Sequence, residues 1–359
     1  MFNWKRRAAP MLTALGAGLL VAGALPAQAQ MVTVTNLVSD GSVAAVTVDP
    51  ALINPWGISY SPTGPFWISD NNAGVSTLYD GAGNKFGLTV NIPAAGGGSG
   101  GTATGQVYNG DGAAFQITKA GLTGSSVFLF DSEDGTISGW APSVDGVNAI
   151  IAVDNSSSSA VYKGLAIGIR KGHSFLYATN FFAGDVEMYD ASFKLVKTFT
   201  DPTIPAGYAP YNVQNLGGTL FVTYAKQDAT KHDSVSGPGL GYVDAFSLKG
   251  VFMRRVVSQG ALNAPWGLDI APASFGALAG SLLVGNFGDG WINAYGPTSG
   301  AYKGPITNAS GFPIAIRSLW GLINGNGGSG GDANTVYFSA GLKKEAHGLF
   351  GSLTPIAAN

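Results

Sequence analysis

The chain of 359 residues contains no cysteine. That excludes disulfide staples, thiolate nucleophiles, cysteine-ligated zinc and iron–sulfur clusters, so stability has to come from a packed core. Charge is nearly as scarce, with only 11% of residues ionic and a formal net charge of −2. A weakly acidic chain lacks the basic footprint that nucleic acid or an anionic membrane would need. Histidines number three, His173, His232 and His347, with no H-E-x-x-H spacing among them. A three-histidine zinc centre would therefore have to gather all three from distant parts of the chain. Helical patterning is also missing: no segment of helical length keeps an i, i+3, i+4 apolar stripe free of glycine and proline.

What is present is glycine, 54 residues of it, punctuating short runs rich in Val, Ile, Phe and Tyr. That pattern belongs to an all-β chain of antiparallel meanders. The first stretch is different in kind. Lys5-Arg6-Arg7 precede an apolar run from Met11 to Leu25, and the stretch closes on Ala27-Gln28-Ala29. These are the three parts of a secretory signal, too short and too often broken by Gly16, Gly18, Gly23 and Pro26 to span a bilayer. Residues 1–29 are expected to be removed, leaving one domain over 30–359 with a net charge of about −5. No later segment is long and apolar enough to span a membrane as a helix.

The unit that organises the remainder is Asn54-Pro55-Trp56-Gly57-Ile58-Ser59 with the aromatic run Phe66-Trp67-Ile68-Ser69-Asp70 behind it. It returns as Asn263-Ala264-Pro265-Trp266-Gly267-Leu268 and, shortened, as Leu319-Trp320-Gly321-Leu322. Repeats opening near Gly57, Gly112, Gly164, Asn212, Gly267 and Gly321 give a period of about fifty residues, the signature of radially repeated sheets. The first five repeats each supply four candidate strands, and the sixth supplies three. Val32 to Val38, which has no partner in the first repeat, is expected to complete the last one and close a six-bladed β-propeller. Trp56, Trp266 and Trp320 hold equivalent positions, which predicts packing between repeats rather than a ligand contact.

Phe66 to Asp80 is similar to the second and third strands of NHL-type propeller blades, and Phe175 to Asp190 and Leu282 to Tyr295 repeat it. Longer phrases resemble an uncharacterised family of secreted bacterial propellers, some of whose members carry PEP-CTERM sorting tails. These phrases include Glu133-Asp134-Gly135-Thr136-Ile137-Ser138-Gly139-Trp140, Tyr224-Ala225-Lys226-Gln227-Asp228, Gly285-Asn286-Phe287-Gly288-Asp289-Gly290 and Glu345-Ala346-His347-Gly348-Leu349-Phe350-Gly351. The resemblance implies a six-bladed propeller and brings no established activity. The sequence ends at Asn359 without a hydrophobic tail, so no sorting anchor is expected and release to the periplasm or medium is; a monomer is also expected.

Several residues stand out as ligand-binding candidates. The fourth repeat carries a long insertion from Lys226 to Gly241 that crowds Lys226, Asp228, Lys231, His232 and Asp233 into a chain otherwise poor in charge, and binding residues concentrate on long loops held by rigid scaffolds. Glu345 and His347, two residues apart, would face the same side of a strand and pair as a base and its orienting acid. Glu133 begins a hairpin turn, and Lys163 lies on an innermost strand where it could face the channel. Carboxylates and amides recurring at blade ends, Asp70, Asn71, Asn180 and Asn286, offer the oxygen ligands calcium prefers. Gly97-Gly98-Ser99-Gly100-Gly101 and Gly327-Gly328-Ser329-Gly330-Gly331 match a nucleophile elbow formally but lack the strand-to-helix context it needs.

Two main functions are compatible with these residues. One is an exported binding or scaffold module that engages a ligand or partner on its loop face. The other is a metal-assisted hydrolase of the lactonase or strictosidine-synthase-like kind with a calcium site in the channel. A surface or matrix protein is a third reading, and fold analogy does not choose among them.

Overall fold

The computed structural model describes Met1 and residues 30–356, so the expected signal segment lies outside the described residues. The chain is built from short antiparallel strands grouped in four-stranded meanders. Their innermost strands are Pro55–Ser59, Ala103–Tyr108, Tyr162–Arg170, Tyr208–Leu216, Pro265–Ile270 and Leu319–Asn324. Each touches the next in that order, and the last touches the first, so the sheets stand radially around an axis as in a β-propeller.

The ring closes where the sequence leaves a strand unpaired. Gln30–Ser39 runs antiparallel to Leu349–Pro355, with Val32 opposite Pro355 and Ser39 opposite Leu349, and its first two residues also run parallel to Ile306 and Thr307. An edge is thereby covered on both sides, which removes the unpaired backbone that would otherwise invite aggregation. The last sheet takes its other three strands from Leu319–Asn324, Val336–Ala340 and Leu349–Pro355, as the shortened sixth repeat predicts.

The second repeat opens elsewhere than expected. Its innermost strand is Ala103–Tyr108, whose Gly105 is the counterpart of Gly57, whereas Gly112 sits in the turn before an added hairpin, Gln116–Lys119 with Leu122–Ser125. That insertion displaced the apparent period. The glycines of the innermost strands have a steric cause. A Cβ on Gly267 would lie 2.6 Å from the Trp320 carbonyl, and one on Gly321 would lie 2.8 Å from the Trp56 carbonyl, because neighbouring backbones converge near the axis.

Between sheets the core is aromatic and aliphatic. Phe66, Tyr79, Tyr337 and Phe350 pack where the first sheet meets the last, and Trp67, Phe128 and Trp140 pack where the first meets the second. Among the described residues no helix is long and apolar enough to cross a membrane. Each radial sheet therefore presents its strand 2–3 turn and the start of its innermost strand at one end of the axis, and that end carries the site.

Candidate functional site at one mouth of the axis

The residue just before the glycine of each innermost strand, or before Asn212 in the fourth, points the way to the site. These residues are Trp56, Thr104, Lys163, Tyr211, Trp266 and Trp320. Trp56 and Trp320 stack with ring centroids 3.4 Å apart, and Trp266 meets both edge-on at 6.0 and 5.8 Å. With Tyr211, Phe181 and Phe287 they form one buried aromatic cluster around the axis. The expectation that the tryptophans pack holds. Their packing is also the floor on which a polar site rests.

Thr104 and Lys163 depart from the aromatic pattern, and only Lys163 does so with a charge. It is 1% exposed, its ammonium pairs with Glu133 and lies 3.5 Å from Asp233, and it stands 5.3 Å from the centre of the Trp56 ring. Removing a charge this completely from water is costly unless partners replace the lost solvation, and here two carboxylates and an aromatic face do so. Glu133, from the strand 2–3 turn of the second sheet, also accepts a 2.9 Å hydrogen bond from Asn71, its counterpart in the first sheet. Asn54 ties the seam together: its Oδ1 accepts from the Trp320 indole at 3.0 Å, and its amide reaches Glu345 at 3.3 Å. The Trp266 indole donates to the Lys163 carbonyl at 2.9 Å.

The insertion of the fourth repeat supplies the outer wall. Ser234–Val235 folds back against Lys226 and Gln227, and Ser234 donates to the Tyr211 hydroxyl at 3.0 Å. This return places His232 and Asp233 over the mouth, with His232 Nδ1 3.0 Å from Asp233 Oδ1. His232 and Asp233 are exposed, at 47% and 71%. Ligand atoms of Glu133, His232 and Asp233 all lie within 4.8 Å of one another. Burial, with Glu133 next in effect, pushes the Glu345 carboxyl up to about 7, and Lys163 and Asn54 work against that shift.

Of the residues singled out in the sequence, the structure brings Glu133, Lys163, His232, Asp233 and Glu345 into one cluster. It does not bring in Lys226, which is exposed along its strand. His347 is also elsewhere. Glu345 ends a turn, Leu342–Glu345, before the final strand begins at Leu349, so the two side chains are not strand neighbours. His347 Nδ1 instead lies 2.6 Å from Asp40 Oδ2, beside the closing strand. His173 is exposed at a hairpin.

Among the proposed calcium ligands only Asn71 reaches the mouth. Asp70 accepts from Thr77, Asn180 donates to Glu187, and Asn286 donates to the Ala261 carbonyl. Asn54 and Tyr211 belong to the site and were not singled out. Aligning the residues before the repeat openings at Gly57, Gly164, Asn212, Gly267 and Gly321 would have found Tyr211.

No family model matches the chain. Among solved structures it is similar to a streptogramin B lyase, at 11% identity and a TM-score of 0.48 over 90% of this chain and 97% of that one. It is likewise similar to a virginiamycin B lyase from Staphylococcus aureus, at 14% and 0.49 over 90% and 100%. Sequence relatives are nearer. The chain is 35% identical over 331 residues to uncharacterized protein R648 of Acanthamoeba polyphaga mimivirus, covering 89% of this chain and 79% of that protein. It is 36% identical over 330 residues to uncharacterized protein L690 of the same virus, covering 89% and 85%. The chain belongs to the family of these mimivirus proteins.

Proposed function

We propose that this chain is an exported six-bladed propeller that binds a small ligand at the axial mouth formed by Glu133, Lys163, His232, Asp233 and Glu345. One observation carries the reading: Lys163 stands, buried and ion-paired, at a ring position that three other repeats fill with tryptophan. A buried charge costs more than an aromatic or a small polar residue would at this position, so we read the substitution as the mark of a ligand that breaks the symmetry. Carboxylates outnumber cations at the mouth. The ligand class that suits them is rich in donors, bearing hydroxyl or ammonium groups. Export is part of the proposal because of the basic, apolar and Ala-x-Ala pattern in residues 1–29.

Glucosamine, which carries both donor types, is a suitable probe. The expected result is a saturable rise in melting temperature that Asp233→Asn abolishes, since Asp233 is exposed and its loss leaves the fold intact. Equal responses from the two proteins would count against the reading.

A second reading is favoured by the spacing of Glu133, His232 and Asp233, whose mixed carboxylate and imidazole atoms suit a divalent metal that could assist hydrolysis. Calcium fits the set less well, because it prefers oxygen throughout and Lys163 already supplies positive charge between Glu133 and Asp233. Chelation separates the two. A melting temperature that falls with chelator and returns with calcium or zinc would favour the metal site, and indifference would leave the organic ligand.

A further inference from the structure

Beside the axial mouth, between the fifth and sixth sheets, lies a cavity of about 660 Å³ lined in part by Phe287, Asp289, Arg317, Lys343, Lys344 and Glu345. Three of these residues are cations, in a chain with 19 lysines and arginines in all. Among the described residues none of the three makes a salt bridge or a side-chain hydrogen bond, whereas the carboxylates beside them are engaged. Asp289 accepts from Asn263, Asn286 and the Trp291 backbone, and Glu345 accepts from Asn54. Those donors are neutral, so the two carboxylates still offset part of the charge; the walls keep a small positive excess, carried by three cations with no ion-pair partner of their own.

The backbone that presents these cations is strained. Ser318, Lys343, Lys344 and Glu345 line the cavity with φ of 52°, 51°, 59° and 68°, in the left-handed region that side chains with a Cβ avoid. Three of them are consecutive, which ordinary turns do not require. Strain held in place by the surrounding structure is a pointer to function when it coincides with a pocket. On the cavity's inner side Phe287 is half-buried and stacks on Trp320 at 4.3 Å, so one ring face is backed by the axial aromatic cluster. Unpaired cations opposite a supported aromatic ring are complementary to an anion attached to something flat.

We propose that this cavity binds a small organic anion, a carboxylate or phosphate ester carrying a flat ring, with Arg317, Lys343 and Lys344 holding the anionic group and Phe287 receiving the ring. The cavity shares Glu345 with the axial mouth and leans on its aromatic cluster through Phe287, but the three cations that would hold the anion are not part of the mouth. Arg317 suits the bidentate contact and the two lysines act as point charges.

The test is a titration of the full chain followed by tryptophan fluorescence, because Trp320 lies directly behind Phe287. The probes are phenyl phosphate, benzoate, inorganic phosphate and benzyl alcohol. Saturable binding is expected for at least one of the two aromatic anions, weaker binding for inorganic phosphate and none for benzyl alcohol. Which aromatic anion binds more tightly separates the phosphate from the carboxylate source. The double variant Arg317→Gln, Lys344→Gln should weaken binding by about tenfold or more, from the loss of two charge-assisted contacts. Arg317→Lys with Lys344→Arg, which keeps the charges, should retain most of it. Asp233→Asn, which disables the axial mouth, should leave it unchanged. Failure of both aromatic anions to bind, binding of benzyl alcohol as tight as theirs, or full affinity in the charge-removing variant would each overturn the proposal.

Discussion

Replacing Lys163 with methionine keeps an unbranched side chain one atom shorter and removes its charge, so it isolates what the buried ammonium does. In the folded chain Lys163 is 1% exposed and Glu133 13% exposed, and the two are ion-paired. Without the ammonium, Glu133 keeps the hydrogen bond from Asn71 and faces Asp233 and Glu345 uncompensated. Breaking one side of a fully buried pair typically costs 3–5 kcal/mol. Asp233 is 71% exposed and solvent-screened, which brings the expected loss to about 3 kcal/mol near neutral pH. Urea unfolding at fixed m reads this as a lower midpoint. Adding Glu133→Gln removes the orphaned charge, so the double variant should lie within about 1 kcal/mol of the parent. Acidification should rescue the single variant in the same way, by protonating the carboxylate. A Lys163→Met protein as stable as the parent at neutral pH, with Glu133 intact, would refute the claim that this charge is paired and buried.

Further outcomes follow from the same geometry. Glu345 has a folded-state pKa near 7, above its ordinary value, mainly through burial. Its folded form therefore favours the proton, and stability should fall as pH rises from about 4.5 through 7, by up to about 3 kcal/mol. Glu345→Gln should flatten that part of the profile; Asp131 and Asp269, each pushed by burial to about 7, keep a residual slope in the same direction. Trp320→Ala opens a cavity beneath the mouth, against Trp56, Trp266 and Phe287, and should cost about 3–5 kcal/mol by thermal or urea unfolding. Removing Gln30–Ser39 strips Leu349–Pro355 of its partner and should abolish cooperative unfolding, whereas a sharp melt at the parent temperature would contradict the closure seen in the strand pairing.

Most of the architecture was legible because it repeats. A glycine forced by converging backbones, an aromatic second strand and a period near fifty residues are local signals that recur, and the unpaired Val32 to Val38 run could be assigned by elimination. The second repeat was misplaced because a hairpin inserted within it imitates a repeat boundary at Gly112. The site was only partly legible. Glu133, His232 and Asp233 were identifiable as rare charges on turns or loops of a charge-poor chain, Lys163 as a rare charge on an innermost strand and Glu345 as the neighbour of a histidine; turns and innermost strands are what a propeller gathers at its axis. The pairing of Glu345 with His347 failed because it assumed a strand where the backbone makes a left-handed turn. Lys226 failed because only the tip of its loop, at His232 and Asp233, reaches the mouth. Arg317, Lys343 and Lys344 carried no sequence signal, since their convergence depends on the closing of the ring.

Whether the axial mouth binds a ligand through its charged cluster is decided by calorimetric titration of glucosamine into parent, Asp233→Asn and Lys163→Met proteins. Saturable heat from the parent, lost in Asp233→Asn and altered in Lys163→Met, is the predicted result. Indistinguishable titrations for all three proteins, whether all bind or none does, would contradict the account.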